Sequence, residues 1–316
     1  MSLIPFNKVA FAKNELQYIK KAFYSSQLAG DGNFTRRCNQ WLENNLSCKK
    51  ALLTHSCTAS LEICALLLEI KQGDEIIMPS YTFVSTANAF VVRGGTPVFV
   101  DIRSDTLNID ENLIEQAISC KTRAIVVVHY AGVACNMDYI LQIAKKYNID
   151  VIEDAAQGIM AKHKGTPLGS MGEFGCISFH ETKNIHCGEG GAILINKDKY
   201  IERAEVIREK GTNRSQFFRG QVDKYRWVDI GSSYLPGEVT AAFLAAQLEY
   251  ANKITQKRLK IWNKYNQIFE NLEITGKIRR PIIPKFCEHN GHIYYLLLNK
   301  EFNRDEVIKK LYESGV

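Results

Sequence analysis

The sequence lacks any long hydrophobic run. Across its 316 residues, no apolar stretch approaches the roughly 20 residues that a membrane-spanning helix needs. The N-terminal segment MSLIPFNKVAFAKNELQ becomes polar almost at once, so it does not resemble a secretory signal peptide. We therefore expect neither a membrane span nor export, and we expect the protein to be cytoplasmic.

Cysteine and histidine are present without the spacing of a metal site or a disulfide framework. The nine cysteines are an odd number and include no Cys-x-x-Cys pair. Cys57, Cys64 and Cys176 lie in apolar stretches, as small core residues do. The seven histidines are scattered along the chain. We therefore expect reduced thiols and no metal site.

Charge of one sign is not concentrated anywhere in the chain. The net charge is +6, with 23% charged and 46% hydrophobic residues, which is ordinary for a globular protein. A mildly basic chain can bind anionic ligands, but no helix-turn-helix or basic DNA-reading helix is present, so nucleic acid is not expected as a partner. The length fits one large domain, alone or with a smaller appendage.

Short apolar runs rich in β-formers alternate with helical patterns through the middle of the chain. Leu61–Leu68 and Ile140–Tyr147 are the clearest helical patterns. This alternation predicts an α/β fold with a mostly parallel, seven-stranded sheet covered by helices on both faces. The gap between the last two runs is too short for a helical crossover, so one strand there is expected to run antiparallel or lie across the sheet. The candidate strands are residues 51–55, 75–79, 96–101, 124–129, 150–154, 176–180 and 191–196.

The character of the sequence changes after Asp198. We divide the chain into a large domain, residues 1–238, which includes N-terminal helices, and residues 239–316, a linker helix with part of a small C-terminal α+β domain. A long helical pattern covers Val239–Asn271, and HIYYLLL (292–298) predicts a strand. Asn303, with Glu306 three residues later, predicts the start of a last helix.

Three chemical features follow strand ends, where open α/β sheets bind their ligands. Glu153 and Asp154 end one strand, the hydroxyl-rich HSCTASLE opens a helix after another, and Lys183 follows a third. Each feature has an ordinary explanation by itself. An acid can cap the next segment, serine and threonine are common N-caps, and most lysines are solvated surface charges.

Together, the three features match the requirements of one cofactor. Pyridoxal phosphate (PLP) needs a lysine for its aldehyde, a carboxylate for its pyridine nitrogen and an anion site for its phosphate. The sequence contains no GxxxxGK[ST] motif and no GxGxxG motif after a strand, so neither a P-loop nor a Rossmann dinucleotide site is expected. The GEGG that follows Lys183 is typical of a turn or a close backbone approach.

A family resemblance extends from near residue 4 to about residue 298. The matching segments are GDGNFTRRC, THSCTASLE, GDEIIMPSYTFVSTANA, PVFVDI, VVHYAG, VIEDAAQG, SFHETKNIHCGEGGAILIN and REKGTNRSQFFRGQVDKYRWVDIGSSY. The chain resembles the DegT-type sugar-nucleotide aminotransferases, which are PLP enzymes of the aspartate-aminotransferase-like fold (fold type I). Through GTNRSQFFRGQVDKY and GSSY it looks most similar to members that form dTDP-4-amino-4,6-dideoxygalactose for enterobacterial common antigen.

The resemblance implies roles around the cofactor ring. Lys183 would bind the cofactor's aldehyde and then carry the proton, and Asp154 would pair with the pyridine nitrogen. Gln157 would hydrogen-bond the ring hydroxyl, and Phe83 would stack on the ring. Lysine at position 183 also separates this chain from relatives that carry histidine there and act as dehydratases.

The resemblance likewise implies how the cofactor's phosphate is held. Thr58, the backbone around Ala59, and Ser178 would bind it within one chain. Family members commonly add an asparagine from the second subunit of a homodimer with shared active sites. Here GSSY occupies that place, so Ser232 or Ser233 would have to serve.

The substrates implied are glutamate and a nucleotide-linked 4-keto-6-deoxy hexose. The loop Arg208–Trp227 interleaves cationic and aromatic residues, as binding of a nucleotide diphosphate requires, and Arg219 and Tyr225 are the candidate substrate contacts. A solvated loop or a dimer contact is the alternative for this segment. His129 and His180, at strand ends, are either packed supporting residues or catalytic ones.

Relatives of this family usually continue for several tens of residues beyond the position of Val316. We therefore expect the small C-terminal domain to be incomplete. A truncated, catalytically impaired PLP-binding paralogue is one alternative hypothesis, and an aminotransferase for a different keto sugar nucleotide is another.

Overall fold

The computed structural model describes residues 4–316 of the protein, and its strands are short. They are β1 (Lys50–Thr54), β2 (Glu75–Pro79), β3 (Thr96–Val100), β4 (Thr122–Val128), β5 (Asp150–Asp154), β6 (Lys162–His163), β7 (Thr166–Pro167), β8 (Phe174–Ser178), β9 (Gly191–Ile195), β10 (Ile278–Arg279), β11 (Cys287–Glu288) and β12 (Leu297–Leu298). Seven of them form the main sheet, in the order β1-β9-β8-β5-β4-β2-β3.

Parallel pairing dominates the main sheet. It extends from β3 through β2, β4 and β5 to β8. β9 is antiparallel to both of its neighbours, β1 and β8. The predicted α/β fold is therefore confirmed, and β9 is the expected antiparallel strand. The chain returns directly from β8 to β9 through the loop of residues 179–190, which contains Lys183.

Helices cover both faces of this sheet. They are α1 (Glu15–Tyr24), α2 (Asn33–Leu46), α3 (Cys57–Leu67), α4 (Val84–Val91), α5 (Glu111–Ile114), α6 (Met137–Tyr147), α7 (Ile201–Arg208), α8 (Arg214–Phe218), α9 (Glu238–Glu249), α10 (Ala251–Ile268), α11 (Glu270–Ile274) and α12 (Arg304–Glu313). Single 3₁₀ turns lie at residues 115–117, 130–132 and 198–200. Within residues 4–316, no helix combines the length and apolar character that crossing a bilayer would need.

The side chains of β4 show how both faces of the sheet are buried. Ala124 and Val126 belong to a cluster with α3 and α4, whereas Ile125 and Val127 belong to a cluster with α5 and α6. A further cluster lies between the sheet and helices α1, α2 and α9. A strand that is covered on both faces needs apolar residues at every position, which explains the unbroken run AIVVV.

The predicted long helix Val239–Asn271 is wrong in one respect, because the structure breaks it into three helices. Tyr250, at φ −99° and ψ 5°, separates α9 from α10. α9 is buried along most of its length against α1 and α2, whereas α10 buries only one narrow face. The two segments thus pack against different surroundings, which favours a break between them. The division of domains at residue 238 stays a prediction.

The predicted strand at residues 292–298 was wrong for most of its length. Only β12, at Leu297–Leu298, pairs, and its partner is β10. The preceding carbonyls accept hydrogen bonds from side chains of α10: Arg258 donates to His292 O at 2.8 Å and Trp262 donates to Ile293 O at 3.2 Å. These side chains take acceptors that a strand ladder would use. The predicted N-cap is confirmed, since the Asn303 side chain accepts from the N–H groups of residues 305 and 306.

Candidate active site

A cavity of about 630 Å³ opens at the carboxyl ends of the parallel strands. Asp154 at the end of β5 and Ser178 at the end of β8 both line it. Thr58 in the first turn of α3, Phe83 just before α4, and Lys183 in the loop after β8 line it as well. The sheet topology thus brings together residues that are up to 125 positions apart in the sequence, as expected for a ligand site at strand ends.

Lys183 is held in a largely buried place by the return of the chain from β8 to β9. Its backbone N–H donates to His180 O at 2.9 Å, which closes a turn just after the strand. Burial lowers the pKa of the Lys183 amine, and the nearby Cys57 and Asp154 oppose that shift. A lysine with a lowered pKa can act as a base at neutral pH more readily than a solvated one.

Asp154 is buried at the floor of the cavity with both carboxylate oxygens hydrogen-bonded. Oδ2 accepts from the Thr86 hydroxyl at 2.7 Å, and Oδ1 accepts from the Ala156 N–H at 3.1 Å. The Thr86 hydroxyl also contacts the Thr82 hydroxyl at 2.7 Å. Burial raises the pKa of Asp154, while the bonds from Thr86 and Ala156 and the charge of Lys183 lower it. Each oxygen keeps a further lone pair for a cationic partner.

The neighbouring acid, Glu153, points to the opposite side of the strand and has a structural role. Its carboxylate accepts backbone N–H bonds from residues 169, 171 and 172 at 2.6–2.8 Å. His129 is fully buried beside it, with Nε2 at 3.0 Å from Glu153 Oε2. Because His129 Nδ1 accepts from the Cys135 N–H at 3.2 Å, Nε2 carries the proton that is donated to Glu153. His129 is therefore packed as a supporting residue, and it does not line the cavity.

His180 differs from His129 because it lines the cavity and is partly exposed. Its Nδ1 lies 2.9 Å from the Thr182 hydroxyl and accepts from the Thr182 N–H at 3.3 Å. Its Nε2 lies 3.6 Å from Glu189 Oε1. These contacts fix the turn that carries Lys183.

Hydroxyl groups cluster where α3 begins, at one end of the cavity. The Thr58 hydroxyl donates to the Ser85 hydroxyl at 2.9 Å, and Ser178 Oγ accepts from the His180 N–H at 3.3 Å. All three hydroxyl-bearing residues line the cavity. The Ala59 N–H donates to the Ser56 hydroxyl at 3.1 Å, so it could bind an anion only by exchanging that partner.

At this end of the cavity, the backbone at the start of β9 lies very close to the backbone of the first turn of α3. A Cβ on Gly191, at the start of β9, would lie 2.4 Å from the Ser56 carbonyl carbon and 2.5 Å from the Cys57 nitrogen. Glycine is therefore required here, because backbone atoms cannot move away as a flexible side chain could. The contact fixes the first turn of α3 against the end of the loop that carries Lys183.

Phe83 and Gln157 both line the cavity. Phe83 is 74% exposed although it is aromatic, so its ring has a free face at the cavity. The Gln157 side chain accepts from the Ala131 N–H at 2.6 Å, and its backbone carbonyl accepts from the Asn290 amide at 2.7 Å. Gln157 thus stands between the sheet and the C-terminal part of the chain.

Five sequence-predicted residues do not line this cavity within one chain: Ala59, Ser232, Ser233, Arg219 and Tyr225. Ser232 and Ser233 follow the loop after α8, where the Ser232 carbonyl accepts from the Lys210 N–H at 2.9 Å. Arg219 pairs with Glu205 at 2.8 Å and lines a separate cavity of about 450 Å³. The Tyr225 ring lies 5.8 Å from the ring of Phe217. The roles assigned to these residues stay predictions.

A sequence model of the DegT/DnrJ/EryC1/StrS aminotransferase family matches residues 10–316. This chain belongs to that family.

Relatives of this aminotransferase include proteins of known structure. It is 37% identical over 291 residues to an uncharacterized protein of Methanocaldococcus jannaschii, covering 90% of this chain and 75% of that protein. The Streptococcus pneumoniae protein Spr1654, described as a sugar aminotransferase and solved in its PLP form, is 25% identical with a TM-score of 0.89 over 99% of this chain and 83% of that one. Helicobacter pylori PseC, an aminotransferase involved in pseudoaminic acid biosynthesis, is 25% identical with a TM-score of 0.90 over 99% and 83%.

Aminotransferases of this family depend on PLP, and the cavity fits that cofactor. Asp154 offers spare carboxylate lone pairs for a pyridinium N–H, and Lys183 offers an amine for the aldehyde. Thr58, Ser85 and Ser178 offer hydroxyls for the phosphate near a helix start. With this lysine, carboxylate and hydroxyl set complete in one cavity, the hypothesis of an impaired paralogue is not favoured.

Sequence reasoning missed several residues at this site. Thr86, which binds Asp154, lies three residues after Phe83, and helical spacing could have placed the two side chains on one face. Tyr81 and Tyr130 line the cavity with their hydroxyls 3.2 Å apart. Cys57 lines it too, and burial raises the pKa of its thiol. No local pattern distinguishes these tyrosines or Cys57 from ordinary core residues.

Proposed function

We propose that this aminotransferase moves an amino group from glutamate to a nucleotide-linked 4-keto-6-deoxy hexose. Its preferred reaction converts dTDP-4-keto-6-deoxyglucose to dTDP-4-amino-4,6-dideoxygalactose, for bacterial surface polysaccharide. The observation that carries the proposal is the placement of Lys183 and Asp154 in one cavity beside the hydroxyls of Thr58 and Ser178. The sugar assignment is supported by the loop GTNRSQFFRGQVDKY and by the sugar-related descriptions of Spr1654 and PseC.

The residues of this chain divide the work of proton transfer and binding. Bound PLP supplies an aldehyde that attaches amines and a ring that draws electrons from the attached carbon. Lys183 removes a proton from the amino-bearing carbon of glutamate and later returns one to the former carbonyl carbon of the sugar. Its lowered pKa suits this task, since proton transfer by a positioned base contributes about 10²–10⁴-fold in rate.

Other side chains hold the reacting groups in place. Asp154 keeps the ring nitrogen protonated, and Phe83 packs on the ring face. Gln157 positions the ring hydroxyl. Thr58 and Ser178 would hold the phosphate and so anchor the cofactor.

The second substrate site extends beyond one chain in this proposal. Arg219 and Tyr225 lie outside the cavity of their own chain, and the loop that holds them leaves Trp227 81% exposed. A cytoplasmic homodimer in which this loop reaches the partner's site would bury Trp227 and place a cation near the nucleotide's phosphates.

The direct experiment incubates the purified protein with PLP, glutamate and dTDP-4-keto-6-deoxyglucose. The product is then analysed by mass spectrometry and by NMR for the configuration at C4. We expect a gain of an axial amino group with release of 2-oxoglutarate, and no product from the Lys183→Ala variant.

Different outcomes separate the parts of this proposal. An equatorial product, or activity only with another nucleotide sugar, would change the assigned substrate and leave the aminotransferase role intact. Full turnover by Lys183→Ala would overturn the role of the lysine. No amino transfer to any 4-keto or 3-keto sugar nucleotide from glutamate would overturn the proposed function.

A further inference from the structure

A second cavity, of about 650 Å³, adjoins the cofactor cavity and shares Gln157, Thr182 and Lys183 with it. One wall comes from α10 and another from residues 291–296. The charged side chains that line it are Lys183 and Arg258, and no aspartate or glutamate of residues 4–316 does so. A molecule that reaches Lys183 through this cavity therefore passes two basic groups and no acid.

His292 lies between these two basic groups without adding a charge. It is buried and lines the same cavity. Burial, followed by the positive charges of Lys183 and Arg258, lowers the pKa of His292 to about 3, so the imidazole is neutral. The field inside the cavity is therefore set by the lysine and the arginine, and it favours an anion.

Arg258 is a half-buried cation without an acidic partner. Burial lowers the pKa of its guanidinium, and no carboxylate of residues 4–316 pairs with it. An arginine stays protonated even so, because its ordinary pKa is above 12. The buried Arg208, by contrast, has both carboxylate oxygens of Asp31 at 2.6 and 2.7 Å from its Nη2. Buried charges in proteins are normally paired, so the place of Arg258 calls for an anion that the chain itself does not supply.

The guanidinium of Arg258 is held by one edge, which leaves another edge free. Nε donates to the Gly291 carbonyl at 3.3 Å, and Nη2 donates to the His292 carbonyl at 2.8 Å. These two bonds use two of the five N–H donors. Within residues 4–316, Nη1 donates to no acceptor, so Nη1 and the second N–H of Nη2 remain for a ligand. Two parallel N–H groups of this kind bind a carboxylate through both of its oxygens.

The chemistry of the proposed reaction selects a carboxylate over a phosphate as that ligand. In an amino acid, a carboxylate is bonded directly to the carbon that gives its proton to Lys183. In the sugar nucleotide, the diphosphate is attached at C1, across the ring from the reacting C4. A cation in the same cavity as Lys183 therefore fits the amino donor better than the nucleotide.

We propose that Arg258 is a substrate-binding residue whose guanidinium pairs with a carboxylate of glutamate, the amino donor. The inference rests on the proposed function, in which glutamate and the keto sugar react in turn at one site. Because 2-oxoglutarate leaves before the sugar reacts, Arg258 serves only the first half of the reaction. This asymmetry separates donor binding from a purely structural role.

The first test measures the two halves of the reaction separately. The absorbance of bound PLP follows the reaction with glutamate, and protein loaded with pyridoxamine phosphate is then mixed with dTDP-4-keto-6-deoxyglucose. We expect Arg258→Gln to raise the half-saturating glutamate concentration about 100-fold, and Arg258→Lys, which keeps the charge without the fork, about tenfold. The sugar half should stay within about threefold of the wild type in both variants.

Lys257→Gln is the matched control for loss of a charge on α10. Lys257 is the preceding residue, is exposed and does not line the cavity. The control removes one positive charge from the same helix turn. Both halves of its reaction should stay within about threefold of the wild type.

The second test needs no turnover. Glutarate has the two carboxylates of glutamate but no amino group, so it cannot react with the cofactor. Calorimetric titration of PLP-loaded protein with glutarate should show binding to the wild type and to Lys257→Gln. Binding to Arg258→Gln should be at least 30-fold weaker.

Glutamine as donor identifies which carboxylate is bound, because its side chain ends in an amide. An equal loss for glutamate and glutamine in Arg258→Gln assigns Arg258 to the carboxylate beside the reacting carbon. A loss for glutamate alone assigns it to the side-chain carboxylate. Both results support the inference.

Three results overturn it. They are an unchanged glutamate half in Arg258→Gln, equal losses in both halves, which assign Arg258 to structure, and a loss in the sugar half alone, which assigns it to a phosphate. If Arg258→Gln does not fold, Arg258→Lys decides by the same comparison. A wild-type protein that aminates no keto sugar nucleotide overturns the proposed function, and the glutamate half and the glutarate titration still decide the role of Arg258.

Discussion

Lys183 is a base kept where a charge is disfavoured, and this has a measurable cost in stability. Its folded pKa is lowered below the ordinary value of 10.5, chiefly by burial. The folded state therefore binds fewer protons than the unfolded chain between the lowered pKa and 10.5. Unfolding free energy must rise with pH through that window, because the penalty for the buried charge is relieved as the folded lysine deprotonates.

Replacing Lys183 by methionine should remove this penalty. We expect the cofactor-free variant to be more stable than the wild type by about 1 kcal/mol at pH 7. This difference should become smaller as the pH approaches the pKa of free lysine. Urea unfolding of both proteins at pH 7 and pH 10 measures it. Exposed Lys197→Met is the control, with an expected change within about 0.5 kcal/mol at either pH. A gap that widens with pH contradicts the assignment.

Thr86 stabilises the charged form of the buried Asp154 carboxylate. Its hydroxyl donates to the buried carboxylate at 2.7 Å, and a hydrogen bond to a charged group contributes about 1.5–3 kcal/mol. Thr86→Val should therefore weaken PLP binding about 10- to 100-fold, measured by absorbance titration of cofactor-free protein. Thr86→Ser should bind almost as the wild type does. Thr82→Val, which removes only the outer hydroxyl of the pair, should have the smaller effect; equal losses would argue against a direct role for Thr86.

At the scale of elements, α9 provides the N-cap that α2 lacks. Gly32, before α2, has no side chain, and the Glu238 carboxylate accepts from the N–H groups of Phe34 and Thr35 at 2.8 and 3.0 Å. A Cβ on Gly32 would lie 2.4 Å from that carboxyl group. The acid therefore fills the space that a capping side chain would take and also faces the positive end of the helix.

Glu238→Gln should lower the free energy of unfolding by about 1–3 kcal/mol, since the amide loses the charge and one acceptor oxygen in a buried place. Chemical denaturation measures this change. Glu249→Gln, at the other end of α9, is the control, because its exposed pairing with Arg37 should be worth about 1 kcal/mol or less. A smaller effect at Glu238 than at Glu249 would show that α2 does not depend on this cap.

At the scale of the whole molecule, Arg219 tests whether two chains build one site. In its own chain this cation is bound to Glu205 in a separate cavity. If it serves the partner's site, Lys183→Ala and Arg219→Ala should both be inactive alone and active when mixed. Each mixed dimer would then hold one intact site, which gives about one quarter of wild-type activity after random exchange.

The mixing experiment requires subunit exchange, which is followed by light scattering and native mass spectrometry. Arg203→Ala, which removes a cation paired with Asp229 and Glu69 in the same chain, is the control and should need no complementation. If exchanged mixtures of the two inactive variants remain inactive, Arg219 acts within its own chain or not at all.

The sequence by itself determined the order of strands and helices, the family and the cofactor. Burial on both sheet faces requires continuous apolar runs such as AIVVV, and the short link between β8 and β9 allows only an antiparallel return. Asp154, Thr58 and Lys183 could be placed at strand ends from these runs, because strand ends are a local property. Their roles also came from the family resemblance, since each residue alone has an ordinary structural explanation.

Only the tertiary structure decided which of two adjacent acids faces the cavity and what surrounds Lys183. Glu153 and Asp154 alternate across β5, and nothing local says which side is the site. Residues 292–296 look like a strand, yet side chains of α10 take their carbonyls. Lys183 and His292 are 109 residues apart in the sequence yet line one cavity, and two asparagine-mediated contacts hold the segments that carry them together. Such long-range contacts arise from packing of the whole chain, which a local pattern does not encode.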